Sequence, residues 1–303
     1  GALDQVLAGA SPEPEQLQPQ AFPDPSPWDW QQEPGPRVGV VLYRALYRSG
    51  DLGMAQALQQ SLRQRGLVPR AVWVSSLRDA VVQEGVLHLF EQQQVDVVIT
   101  ATSFASVQFE QAGFGAPLWD RLDRPVLQLL SSSQPRGIWH DSARGLNPLD
   151  LSLQVVLPEL DGRITTRIGA FREVDQLHPT LATAVSQSVA NPEGLDWITE
   201  HAHGWVELRQ TPADQRRVGV VLANYPVRNG RLANGVGLDT PASLFNLLHW
   251  LKQAGYSLGE QPLQKSSEAL MATLLAGRTN DPESHHLPPL TYLPLADYQT
   301  WWS

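Results

Sequence analysis

The sequence predicts an α/β protein made of two Rossmann-like or flavodoxin-like lobes with open parallel sheets, the second incomplete. Three observations carry that expectation. Short apolar runs without polar alternation, the mark of strands buried on both faces, alternate with stretches of helical periodicity. The hexapeptide Arg37-Val38-Gly39-Val40-Val41-Leu42 recurs letter for letter as Arg217-Val218-Gly219-Val220-Val221-Leu222, and each copy leads into a polar loop and then a helix. A chain of 303 residues also exceeds one ordinary domain, for which roughly 150 residues is the prior.

Residues 1–36 read as a linker. Pro12, Pro14, Pro19, Pro23, Pro25, Pro27, Pro34 and Pro36 remove backbone donors and push each preceding residue toward extended geometry, so no helix or sheet is expected to propagate there. No basic residue precedes Arg37, which argues against a secretory or transit leader, and the opening Gly1-Ala2-Leu3 reads as a piece cut from a longer chain. Trp28 and Trp30 are expected to dock the linker on a folded body. The first lobe, 37–147, carries strands at 38–42, 70–74, 95–100 and 126–130 and helices at 52–65 and 79–93. A connecting segment, 148–213, holds a Leu/Val-rich stretch, an Asp161-Gly162 turn, a strand at 164–170 and a helix over 196–209. The second lobe, 214–303, repeats the opening strand at 218–222 and then shows helices after Thr240 and near 267–275.

Charge narrows the function. With 22 basic and 31 acidic residues the net charge is -9, which argues against a broad electrostatic grip on nucleic acid or an anionic membrane. An anionic ligand must find local positive charge. No apolar run approaches the roughly 18 residues of a membrane span. Without cysteine there is no disulfide framework, thiolate metal site or iron–sulfur cluster.

The stretch 223–241 is dense in Asn and Gly, residues that tolerate positive φ and let a backbone approach a ligand. It follows a predicted strand, where open α/β sheets place ligands, and it enters a helix with Thr240 as expected N-cap and Pro241 at the first helical position. This is the expected binding loop, its helix start offering free N–H groups to an anion. Two nucleotide readings fail here. Gly235-Val236-Gly237 lacks the third glycine of a dinucleotide fingerprint, and the only lysines, Lys252 and Lys265, follow Leu251 and Gln264 instead of a P-loop glycine. The chain is therefore not expected to bind ATP or NAD. The eight histidines form no ligand frame, since His201 and His203 point to different helix faces and His285-His286 lies in a Pro-flanked segment. His249, in the loop's own helix, either lies near the site or is a satisfied interior histidine. Ser131-Ser132-Ser133 reads as a polar loop at the ligand edge of the first sheet rather than a nucleophile.

The run Leu222-Ala223-Asn224-Tyr225-Pro226, Gly230-Arg231 and Asn234 through Ser243 closely resembles a signature of the aerobic cobaltochelatase large subunit, the CobN family. The resemblance extends through Tyr43-Arg44-Ala45, Gly50-Asp51, Val74-Ser75-Ser76-Leu77, Asp141 to Leu146 and Pro158 to Ile164, and covers residues 36–303. It implies part of a cytoplasmic enzyme subunit that binds hydrogenobyrinic acid a,c-diamide and Co²⁺ and inserts the metal during cobalamin synthesis. It also implies partner subunits, an AAA+ motor and its companion, that hydrolyse ATP. The related magnesium chelatase large subunit, which puts Mg²⁺ into protoporphyrin IX, and a non-catalytic tetrapyrrole-docking module are the alternatives; the wording of 234–243 favours cobalt. Members of the family are several-fold longer and carry downstream a His-Gly-x-x-Glu-x-x-Pro-Gly-Lys segment that is not in this chain.

With a polycarboxylate ring as ligand, Asn224, Arg228, Arg231, Asn234, Gly235, Gly237 and Thr240 are the expected substrate-binding set, because in a chain of net charge -9 this loop gathers two arginines, a helix start and one acid. The two arginines would meet peripheral carboxylates and the two asparagines amide or carboxylate arms. Catalytic residues and metal ligands stay unassigned, the candidates in this chain being Asp239 and His249. Asp239 either caps the loop or faces the ring nitrogens and metal.

Overall fold

The computed structural model describes residues 22–107, 117–177, 183–223, 229–260 and 262–302, leaving aside the side chains of residues 117, 175–177 and 231. The chain divides into two compact units at residues 209 and 210.

The first unit is organised by one seven-stranded sheet. Its strands are β1 (Ser26–Trp28), β2 (Arg37–Tyr43), β3 (Val68–Val74), β4 (Val97–Thr100), β5 (Val126–Ser132), β6 (Ile164–Leu177) and β7 (Ala184–Ala190), in the order β1-β3-β2-β4-β5-β6-β7. The five from β3 to β6 run parallel, and β1 and β7 close the two edges antiparallel. From β2 the chain moves to one side for β3 and to the other for β4, which is the flavodoxin-like order with its switch point between β2 and β4.

Helices cover both faces. The first is α1 (Arg44–Ser49), followed by α2 (Gly53–Gln64), α3 (Ala80–Gln92), α4 (Pro117–Leu122) and α5 (Arg136–His140). A helical run over 148–159, α6, has a π-helical middle at Ser152–Val156, and α7 is Pro192–Gln210. Val38, Val40 and Leu42 pack with Leu58 and Leu62 of α2 and Ile198 and Ala202 of α7, while Val41, one step out of phase, packs with Val86 and Phe90 of α3. Val38 through Leu42 are all buried because the sheet is covered on both sides. Gly39 is required by that packing: a Cβ there would stand 2.7 Å from the Phe90 ring.

Two expectations need revision here. The proline-rich linker does contribute to the sheet, since Ser26–Trp28 pairs with β3, the Trp28 ring meets Trp73 at 4.9 Å with a tilt of 47° and Trp30 Nε1 donates to Ala71 O at 2.8 Å. Pro27 is tolerated because an edge strand needs hydrogen bonds on only one side. The sheet also continues beyond residue 147: β6, β7 and α7 fall in the expected connecting segment yet complete the first unit's sheet and cover it.

The second unit, Gln210–Ser303, contains α8 (Thr240–Gln253), α9 (Ser267–Leu275) and α10 (Leu295–Trp302). The expected second sheet is not found among its described residues. Residues 218–222 form no strand, and Val218, Val220 and Val221 are 54%, 44% and 96% exposed. A fully apolar strand is held by ladder partners and by covering helices, and the described residues of this unit supply no strand to pair with it.

Candidate functional site

At the carboxyl edge of the first unit's sheet lies a pocket of about 380 Å³, where an open α/β sheet places its ligands. Tyr43 ends β2, Ser131 and Ser132 end β5, and Ser103 and Ser133 follow β4 and β5 into their loops. The serine triplet thus lies at the ligand edge, as its position after a buried strand suggests. Tyr43 donates its hydroxyl to Ser103 O at 2.8 Å. Burial pushes its pKa above the ordinary tyrosine range, against the opposing pull of the Arg163 charge.

Beneath the β4 loop sits an ion pair with both side chains fully buried. Arg163 Nη2 meets Asp161 Oδ2 at 2.6 Å. The carboxylate accepts Ser106 N at 2.8 Å and Val107 N at 3.2 Å, while the guanidinium donates to Thr102 O, Phe104 O and Gln128 Oε1. Burial lowers the Arg163 pKa and the Asp161 charge opposes the shift. Two charges removed from water survive only when their remaining hydrogen-bonding capacity is filled, and here the backbone of one loop fills much of it. The turn at Asp161-Gly162 therefore anchors the β4 loop.

Three further polar side chains hold the pocket walls, Gln154 and Asp150 from the lining and Asp51 from behind Arg172 and Ser188. Gln154, in the π-helical turn, accepts Ser131 N at 2.7 Å and donates to Ser131 O at 2.6 Å. Its amide stands in for a neighbouring peptide group where the β5–β6 register slips. Asp150 accepts Ser133 N and Oγ at 2.8 and 2.9 Å and Asn147 Nδ2 at 2.8 Å. Asp51 holds Arg172 Nη1, Ser188 N and Ser188 Oγ within 2.9 Å. Both carboxylates are thus committed to the walls. What faces a ligand is a hydroxyl-rich surface with one guanidinium, suited to polar or anionic arms. Of these anchors Asp150 and Gln154 stand as polar residues inside the Leu/Val-rich stretch 149–160, four apart and so on one helix face.

In the second unit the predicted loop is described from Asn229 onward; Asn224 and Arg228, like the Arg231 side chain, lie outside the described residues. The loop is tethered at Asn229, whose N–H donates to the buried Asp281 at 2.7 Å and whose Oδ1 accepts Thr279 Oγ1 at 2.7 Å. Ala233 and Gly237 have φ of 59° and 74°, and a tight turn joins Gly235 to Leu238. Asn234 is exposed beside it. The helix cap is Asp239 and not Thr240: its Oδ1 accepts Ala242 N at 2.9 Å, Thr240 opens α8 and Pro241 follows. A short carboxylate reaches the free N–H groups as well as a hydroxyl does and adds charge against the helix dipole. Asp239 thus occupies part of the anion site expected at that helix start. His249 bonds through Nδ1 to Phe245 O at 2.9 Å, one turn back. It stands ten residues beyond Asp239, about 15 Å along the axis at ~1.5 Å per residue, so the two catalytic candidates are not brought together.

Among the described residues no three His, Asp or Glu side chains converge as a metal site, and no helix is long and apolar enough to cross a membrane.

A family model described as CobN/Magnesium Chelatase matches residues 8–303. The chain belongs to the CobN/magnesium chelatase family. An aerobic cobaltochelatase subunit CobN from Sinorhizobium sp. is 36% identical over 270 residues, covering 88% of this chain and 20% of that protein. A magnesium-chelatase subunit from Rhodobacter capsulatus is 25% identical over 273 residues, covering 84% and 22%. The catalytic subunit of cobaltochelatase from Mycobacterium tuberculosis superposes with a TM-score of 0.70 at 30% identity, over 86% of this chain and 22% of that one. The chain thus spans about a fifth of the length of these CobN and magnesium-chelatase relatives.

Proposed function

We propose that this chain is part of the large, tetrapyrrole- and metal-binding subunit of an ATP-dependent cobaltochelatase, which inserts Co²⁺ into hydrogenobyrinic acid a,c-diamide. The observation that carries the cobalt branch is the gap between 36% identity to a CobN protein and 25% to a magnesium-chelatase protein over nearly the same span. The protein works in the cytoplasm with an AAA+ motor subunit and its companion, which bind and hydrolyse the ATP.

Insertion requires a base to take protons from the ring nitrogens and ligands to strip water from the ion. This portion supplies binding surface for the ring periphery, and residues further along the full-length protein supply the proton and metal chemistry. In the loop 224–240, Arg228 and Arg231 hold carboxylate arms while Asn224 and Asn234 hold amides. Gly235 and Gly237 bring the backbone close and Thr240 offers the helix start beside the Asp239 cap. Charge supports this: a chain of net charge -9 must concentrate positive potential to hold a polycarboxylate.

The test is metal insertion by the full-length protein with its partners and ATP, offering Co²⁺ with hydrogenobyrinic acid a,c-diamide and Mg²⁺ with protoporphyrin IX. Cobalt insertion into the corrin is expected, with Arg231→Ala weakening corrin binding by about 1.5–3 kcal/mol. Magnesium insertion into the porphyrin would move the protein to the other branch, and no insertion of either would leave a docking role.

A further inference from the structure

A second cavity in the first unit, also about 380 Å³, opens between α5, β6 and the start of α7. Its floor is Leu130, Ile168 and Phe171, a small cluster of its own against which Trp139 and Leu146 pack. The Trp139 and Phe171 rings meet at 5.5 Å with a tilt of 53°. Two tilted aromatic rings in contact thus form part of its lining.

Its mouth carries charge of both signs. Arg167 and Arg136 line it against one acid, Glu193. Arg167 lies over the Trp197 ring at 5.0 Å and reaches Glu193 only at 3.9 Å. The Arg136 backbone N–H donates to Glu173 just outside, but its guanidinium has no carboxylate partner among the described residues. Asn191, also on the lining, gives its Nδ2 to Ile168 O and leaves Oδ1 buried without a hydrogen-bond partner among the described residues. Gly194 permits the close approach of α7 that shapes the wall, since a Cβ there would strike Ile168 O.

We propose that this groove is a binding site for a flat conjugated acid: the ring body lies on Trp139 and Phe171, and the carboxylate meets Arg136 and Arg167. Aromatic walls with a few convergent polar groups are the ordinary make-up of a ligand site, and arginine suits a carboxylate because its donors form a fork. The volume takes the whole of a small ring acid or one edge of a macrocycle, two sources of the same chemistry. The inference stands on the lining alone and survives whichever metal the family member handles.

Calorimetric titration of the full chain tests it, with indole-2-carboxylic acid, its methyl ester and mesoporphyrin IX as probes. Saturable binding of the acid is expected, with Arg136→Gln and Arg167→Gln each weakening it roughly five- to ten-fold, as for partly exposed charged contacts. The ester should bind weakly and alike to all variants, and Arg48→Gln, remote from the lining, should match the parent. Trp139→Ala should abolish binding; if that variant fails to fold, the two exposed arginines still decide. Binding of the indole acid but not mesoporphyrin assigns a small ligand, whereas mesoporphyrin binding with the same arginine dependence assigns a macrocycle edge. No saturation by either acid at about 1 mM, or equal affinity in the arginine variants, would overturn the proposal.

Discussion

The same six residues, Arg-Val-Gly-Val-Val-Leu, occur at 37–42 and at 217–222 with opposite fates. In the first copy Val38, Val40, Val41 and Leu42 are wholly buried between β3 and β4. In the second, three valines are largely exposed and no strand forms. Identical local preference has therefore produced a central strand in one place and an irregular segment in the other. A β-strand is completed by its neighbours, and β propensity mostly measures how well a side chain fits a surface that neighbours provide.

The sharpest way to break the comparison is a charge at the equivalent valine. Val41→Asp places an unpaired carboxylate between two packed layers and should cost on the order of 5 kcal/mol, enough to unfold the first unit, whereas Val221→Asp should change stability by less than about 0.5 kcal/mol. Urea unfolding followed by circular dichroism and tryptophan fluorescence reads both. Equal effects would mean that the second copy is buried after all.

Next in size is the charge beneath the first lobe's loop. Arg163→Met leaves Asp161 buried with backbone donors but no counter-ion, and a loss of about 3–5 kcal/mol is expected in the same unfolding experiment. In the second lobe the Asp281 carboxylate accepts the Asn229 and Glu283 N–H groups, so Asp281→Ala should loosen that loop at a cost of about 1–3 kcal/mol.

Gly39→Ala should cost about 1–3 kcal/mol, because the added carbon meets the fully buried Phe90 ring, while Gly219→Ala meets nothing and should be silent or slightly stabilising. Indistinguishable midpoints for the two variants would show that Phe90 can yield.

The smallest effect concerns the residue after each copy, Tyr43 or Ala223. Tyr43 is held above the ordinary tyrosine pKa by burial. In the window between its unfolded and folded values the folded state binds more protons, so its contribution is complete below the unfolded value and is lost as pH rises through the folded one. Stability of the first unit should fall on the alkaline side, and Tyr43→Phe should flatten that limb. An unchanged slope would mean that the hydroxyl reaches solvent.

Legibility followed the range of the forces involved. The four strands and two helices expected over 37–147 lie within a few residues of β2 to β5, α2 and α3 because periodicity is local; Gly66 follows α2, and Asp79, expected as the first residue of its helix, caps α3. The binding chemistry at the sheet edge was only partly legible. Ser131 to Ser133 could be placed at the end of a strand, but Asp51, Asp150 and Arg172 look like ordinary surface polar residues until β6 and β7 bring their partners from more than a hundred positions away or α6 folds back over β5. Motif identity carried the family, since a spread of short matches does not depend on knowing where each residue lies.

The sequence alone settled the α/β class, the Asp161-Gly162 turn and the family, because these rest on short-range spacing and on residue identity. Only the tertiary structure decided which hexapeptide became a strand, that Asp239 rather than Thr240 caps α8, that Asp161 and Arg163 are fully buried, and where an aromatic groove with two arginines opens. Each of those depends on what arrives from elsewhere in the chain: a ladder partner, a competing cap, enough covering layers to exclude water, or a gap between helices. Spacing along the chain carries no record of such arrivals.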